Sequence, residues 1–186
     1  MKTAGKIIVK ALLALTAATA AAACGKSDAE SDFTTQDTNI ESIVSSLSAD
    51  NEGSVVEYFD GPVRVTTVSG TGEALKDGGT VSFYYGAYRI SGSSLSSGDL
   101  VATNSKEYAE SAGWSVSDTT LYKISTVSLS DDQLVKGLRK GLVGVKAGDQ
   151  CYVLFNGRYG FGKHKVGKVP GNSALAYHLQ ITEVAN

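Results

Sequence analysis

The sequence predicts an α+β domain, an antiparallel β-sheet accompanied by a few short helices. Three observations point there. Gly is abundant at 21 residues and Pro scarce at 2, which suits a turn-rich sheet better than a helical bundle. Stretches rich in Val, Thr, Tyr and Phe recur between turn residues. Three capping-box patterns mark short helices between them. The 186 residues are 42% hydrophobic and 19% charged, an ordinary globular composition.

Residues 1–23 read as a secretory leader. Lys2 and Lys6 precede an apolar run that closes on Ala21-Ala22-Ala23 and is too short and Ala-rich to span a bilayer. Cys24 follows directly, and the arrangement resembles the bacterial lipoprotein box, although the Leu usual three residues before the Cys is absent. The resemblance implies that Cys24 becomes the lipidated first residue of the mature chain, with two or more acyl chains holding it at a membrane. Gly25 after the Cys, by resemblance to enterobacterial lipoprotein sorting, implies the outer membrane of a Gram-negative bacterium, on its periplasmic or surface face. The leader removes three Lys and no acid. That leaves 14 Lys and Arg against 19 Asp and Glu, a net charge of −5. Such a balance argues against a nucleic-acid partner. Residues 25–36 are polar and acidic with no apolar period, which predicts a solvated tether.

Thr38-Asn39-Ile40-Glu41 is a capping box, and Ile40, Ile43, Val44 and Leu47 fall on one helical face. They predict a short amphipathic helix docked on the domain. After a polar break at 48–54, strands are expected over 55–59, 63–68 and 80–90, with Asp77-Gly78-Gly79 turning into the third. Residues 92–98 form a Ser/Gly loop. Asn104-Ser105-Lys106-Glu107 opens a second helix that Gly113 ends, an excursion from the sheet together with residues 114–120. Ser130-Asp131-Asp132-Gln133 is the best-formed box. With Leu134, Leu138 and Leu142 at i, i+4, i+8, it predicts a third helix starting at Ser130. Cys151, Val153 and Phe155 alternate along one face of a strand, which makes Cys151 a core thiol. The last strand, 174–184, turns Leu175, Tyr177, Leu179 and Ile181 inward as a half-buried antiparallel strand, and so turns His178 out to solvent. The resulting domains are a leader (1–23), an anchored tether with a short helix (24–60) and a folded domain (61–186).

Several chemistries are excluded. Gly70-Thr71-Gly72 is no dinucleotide fingerprint, because Leu75 stands where its third Gly belongs. Two Cys and two His are too few for a Cys-rich zinc site, and neither His164 nor His178 has a carboxylate or Cys at metal-ligand spacing, so no metal and no cofactor is expected. Lys163, His164, Lys165 and Lys168 surround Gly162 and Gly167 and read as a solvated loop. No Ser/His/Asp triad can be placed.

From about Val63 to Val184 the chain resembles an FKBP-type peptidyl-prolyl isomerase domain. The resemblance is carried by Phe83-Tyr84-Tyr85-Gly86, by the run from Leu134 to Leu142 with Val145-Lys146-Ala147-Gly148-Asp149, by Arg158-Tyr159-Gly160-Phe161-Gly162 and by Val169 to Tyr177, in that order. It implies a sheet wrapped round one short helix with an apolar cup between them. Tyr85, Val135, Phe161 and Tyr177 would serve catalysis, with the Val135 N–H holding a substrate carbonyl. Leu138, Val169 and either Val127 or Ile124 would complete the cup. The family's Trp floor is Leu138 here, its loop Tyr is Phe161, and its pocket Asp falls on Ala102 or Ser96. The resemblance implies a peptidyl-prolyl isomerase of weak activity acting on Pro-containing or partly folded exported proteins. The alternative is a non-catalytic chaperone or peptide-binding lipoprotein on the same fold.

Overall fold

The computed structural model describes residues 30–118, 121–132 and 134–186. The chain divides into two compact units, Met1–Thr35 and Gln36–Asn186. Of the first, residues 30–35 are described, and they are helical. The leader and Cys24 lie outside the described residues.

The second unit is built on one seven-stranded antiparallel sheet of β1 (Val55–Tyr58), β2 (Val63–Val68), β3 (Thr80–Ile90), β4 (Leu100–Thr103), β5 (Ser125–Ser128), β6 (Gln150–Phe155) and β7 (Ala174–Ala185). The order is β1-β2-β6-β7-β3-β4, with β5 also paired to β3. β3 pairs with β7 along its whole length, and its other edge is shared. Gly86–Tyr88 pair with β4 and Thr80–Phe83 with β5. The chain between β4 and β5 is therefore an excursion that leaves one edge and returns to it. It carries helix α2 (Lys106–Ser111), which begins within its expected box but with Ser105, not Asn104, as N-cap, and which ends before Gly113 at φ +71°.

Both faces of the sheet are covered. On the inner face, α3 (Lys136–Leu142) packs Leu138 and Leu142 against Val81, Phe83, Cys151, Val153, Phe155, Leu175 and Leu179. Gly137 and Gly141 bring α3 down onto β6. A Cβ at either would overlap the Phe155 ring or a Val153 methyl. Buried Arg64 holds the end of this helix, donating from Nη1 to the carbonyls of Gly141 (2.9 Å) and Val143 (2.7 Å), while Glu57 neutralises it. On the outer face, Ile40, Ile43 and Val44 of α1 (residues 30–50) pack on Val63, Val65, Leu154, Ala174 and Ala176.

Four sequence expectations change. Helix α1 is already formed at Glu30, so Thr38 lies within it and residues 30–36 are helix, not tether. No Gly or Pro interrupts residues 26–52, and the Thr34 and Thr35 hydroxyls bond back to the carbonyls of Glu30 and Ser31, which lets the helix run through the box. Conversely, α3 starts only at Lys136. The Ser130 hydroxyl pairs with Ser128 Oγ (2.8 Å), the Asp131 and Leu134 N–H groups bond back to the Ser128 and Asp131 carbonyls, and the Gly137 N–H is taken by the Tyr159 carbonyl (2.8 Å). β7 is central and covered on both faces, with Ala174 and Ala176 leaving room for α1. For the same reason His178 does not face solvent. It stacks on Tyr152 (4.1 Å, 10°) and lies 5.1 Å from Tyr108 of α2, and burial lowers its pKa to about 4.

Candidate functional site

An apolar hollow of about 220 Å³ opens where α3 has not yet begun. β3 contributes Phe83 and Tyr85, which share one side of the strand because side chains alternate. β5 contributes Ser125 and Val127, β7 contributes Tyr177, and the approach to α3 contributes Leu134, Val135 and then Leu138. The rings form a chain. Phe83 meets Tyr85 edge-on at 6.1 Å, Tyr85 meets Tyr177 at 5.9 Å, and Tyr177 stacks on Phe155 at 5.9 Å. A second apolar hollow, of about 170 Å³, lies beyond Tyr177, between Ala87, Val101, Ala102, Phe161, the 166–169 loop and Leu175.

The residues expected to form one cup are thus divided. Tyr85, Val127, Val135 and Leu138 surround the first hollow, Phe161 and Val169 the second, and Tyr177 is the wall common to both. Val127, not Ile124, fills the position left open between them, since Ile124 is 43% exposed. Ala102 lines the second hollow, whereas Ser96 is exposed and bonds to Asp99.

Polar groups in the hollows are few. Among the described residues no group hydrogen-bonds the hydroxyls of Tyr85 and Tyr177, and no backbone carbonyl takes the Val135 N–H. Burial pushes both phenols up, so they stay protonated and can donate. Burial also pushes the Cys151 thiol up to about 12, which leaves it a neutral core residue. Among the described residues no three His, Cys, Asp or Glu gather as a metal site. What remains is a largely apolar, aromatic-walled hollow, open on one side and edged by a few unspent donors.

Sequence reasoning missed Phe83, Ser125 and Leu134 in the first hollow, although the period-2 spacing of Phe83 to Tyr85 and of Ser125 to Val127 was there to find it. It also missed Asn104, which looked like a helix start. Its side chain is buried and accepts from the Tyr85 N–H at 2.7 Å. It shares its own hydrogens among the Phe83 and Lys123 carbonyls and Ser125 Oγ. It thereby locks β3 to β5 beneath the hollow. The loop over 163–168 is exposed as expected, Val166 included, with Lys168 over the Trp114 ring at 4.8 Å, while Val166 and Val169 exchange backbone bonds at the edge of the second hollow.

The family model described as FKBP-type peptidyl-prolyl cis-trans isomerase matches residues 72–182, more than half of the chain. Solved structures share the fold. FkpA from Escherichia coli superposes with a TM-score of 0.55 at 22% identity, over 99% of this chain and 74% of that one. A peptidyl-prolyl cis-trans isomerase from Pseudomonas syringae gives 0.57 at 15% identity, over 84% of this chain and 96% of that one. The N-terminal domain of FKBP42 from Arabidopsis thaliana gives 0.54 at 15% identity, over 73% and 96%. No curated sequence is significantly similar to the chain.

Proposed function

The chain belongs to the FKBP-type peptidyl-prolyl cis-trans isomerase family, and from that premise we propose that it accelerates rotation about X–Pro bonds in exported proteins, slowly, from a lipid-anchored position. The observation that carries the reading is the first hollow, an apolar, aromatic-walled space edged by unspent hydrogen-bond donors.

The chemistry asks for little more. Rotating a peptide bond breaks its conjugation, at a barrier of about 18–20 kcal/mol. A twisted amide carries less charge separation than a planar one, so a dry hollow favours it relative to water, and differential binding of that state is the catalysis. A proline ring would sit among Tyr85, Val127, Val135, Leu138 and Tyr177. The Val135 N–H and the two phenols would orient the neighbouring carbonyls. No nucleophile or metal enters the step. Activity is weak because Leu138 gives a smaller floor than Trp would, while Phe161 and Ala102 offer no polar group to fix the peptide. Losing one positioning donor in a dry site costs on the order of a hundredfold in rate.

A protease-coupled assay on an X–Pro peptide tests this. The chain should exceed the uncatalysed rate, Tyr85→Ala should lose the excess, and Leu138→Trp with Phe161→Tyr and Ala102→Asp should raise it. Folded variants that all run at the uncatalysed rate would remove the enzyme. The second reading, a peptide-binding chaperone, is favoured by the apolar second hollow, where Phe161 and Ala102 supply no polar group. Suppression of aggregation without isomerisation would select it. The anchor is tested separately. Cys24→Ser should abolish acyl incorporation and release the chain from membranes, and persisting label in that variant would overturn the anchor.

A further inference from the structure

The rim of the second hollow is made of two loops that the sheet does not hold. Residues 156–162 carry Phe161, and residues 166–173 carry Val169. The loops touch along a junction that also sets Gly160 against the Ser173 carbonyl. The Asn172 N–H donates to the Gly162 carbonyl, and a Cβ at Gly157 would overlap the Asn172 carbonyl. Asn172 holds its place there with a left-handed backbone, φ +57°.

Helix α1 reaches these loops with two side chains, and Gln36 is the one that bonds to both of them. Gln36 Oε1 accepts from the Gly157 N–H at 2.8 Å, and Gln36 Nε2 donates to the Asn172 carbonyl at 2.8 Å. One planar amide spans both loops, using its acceptor on one and its donor on the other. The neighbouring residue extends the seam. Asp37 Oδ1 accepts from Asn156 Nδ2 at 2.7 Å, and Asn156 Oδ1 accepts from the Arg158 N–H at 3.1 Å.

We propose that Gln36 is a positioning residue of the cup. It sets the spacing of the Phe161 and Val169 loops, and with it the width of the second hollow, without touching substrate. This is separable from docking the helix. α1 docks through Ile40, Ile43 and Val44 in an apolar cluster that contains no residue from 156 to 173. The amide reaches loops that the cluster does not.

The proposal rests on the isomerase reading only for its rate readout, and hydrogen exchange tests it independently. In the full chain in detergent, Gln36→Met keeps the length and removes both bonds. Exchange should rise in 156–162 and 169–173 and stay unchanged in β2 and β6, and kcat/KM for an X–Pro peptide should fall about tenfold, since small misplacements far from the chemistry carry large rate costs. Gln36→Glu keeps the acceptor and loses the donor, so it should restore protection in 156–162 but not in 169–173. Leu47→Ala, a change on α1 away from the seam, should leave both loops as they are. Unchanged exchange in both loops of Gln36→Met would overturn the proposal. So would a uniform rise across the domain, loop exchange in Leu47→Ala equal to that of Gln36→Met, or an unaltered kcat/KM. If the wild type does not isomerise, the isomerase reading fails, and the loop-specific exchange alone decides the role of Gln36.

Discussion

The two faces of the sheet are filled by opposite means. On the outer face, α1 lays Ile and Val onto the small residues Ala174 and Ala176, so the bulk comes from the helix and the room from the strand. On the inner face the roles reverse. Gly137 and Gly141 of α3 provide the room, and Phe155 and Val153 of β6 provide the bulk. α3 is seven residues long and starts at Lys136. The approach to it, with Leu134 and Val135, therefore crosses the inner face without a helix's side-chain density, and the first hollow opens there. The void marks the stretch where a helix was expected and a run of turns stands instead.

The comparison breaks most sharply if either helix proves dispensable. Leu142→Ala on the inner face and Ile43→Ala on the outer each remove a fully buried aliphatic group, and each should cost about 2–5 kcal/mol in denaturant unfolding. A near-zero cost for Ile43→Ala alone would make α1 an appendage, leaving one true core.

Gly141→Ala sharpens the contrast through two opposed effects. Ala in a helix gains up to about 1 kcal/mol over Gly. Here its Cβ would run into the Val153 side chain, and overpacking costs about 1–3 kcal/mol. Net destabilisation of about 1–2 kcal/mol is expected, and a stabilised Gly141→Ala protein would mean that α3 stands further from β6.

The outer face also carries the pH dependence. The folded pKa of His178 is lowered to about 4 from 6.5, because burial between Tyr152 and Tyr108 disfavours its charge. The unfolded chain therefore binds more protons between those values. Stability from this site is intact above about pH 6.5 and is lost as the pH falls towards 4, by about 3 kcal/mol. His178→Phe, which keeps a ring in the stack, should flatten that part of the stability curve. An unaltered slope would place the acid sensitivity elsewhere.

The smallest effect is expected at Cys151. Its thiol should stay unreactive towards alkylating agents until the domain unfolds, with no change in stability when the reagent is present. Rapid labelling of the native chain would show an inner face that opens locally.

Strand identities were legible because they depend on local composition and a period of two. The expected spans of β2 and β3 coincide with the observed ones, and the inward set of β7 is the expected one. The ordered motifs from Phe83 to Tyr177 likewise carried the family, since a family's pattern is written along the chain. Helix ends were not legible in the same way. A capping box offers partners to a helix start, but the chain uses it only if nothing better competes. At Thr38 the upstream residues were already helical. At Ser130 the hydroxyl turned to Ser128, and the first turn was displaced by a bond from Gly137 to Tyr159, twenty-two positions further along the chain.

The sequence by itself determined which residues are apolar, how they alternate and in what order the motifs come, and this was enough for an antiparallel α+β fold and an aromatic cup. The tertiary structure alone decided that the cup is two hollows divided by Tyr177, that His178 is stacked and neutral, and that Asn104 and Gln36 serve distant strands and loops. Each of those outcomes depends on what lies across the sheet or across a loop junction. Hydrogen bonds and burial are satisfied by whichever partner is nearest in space, and sequence distance carries no information about that partner.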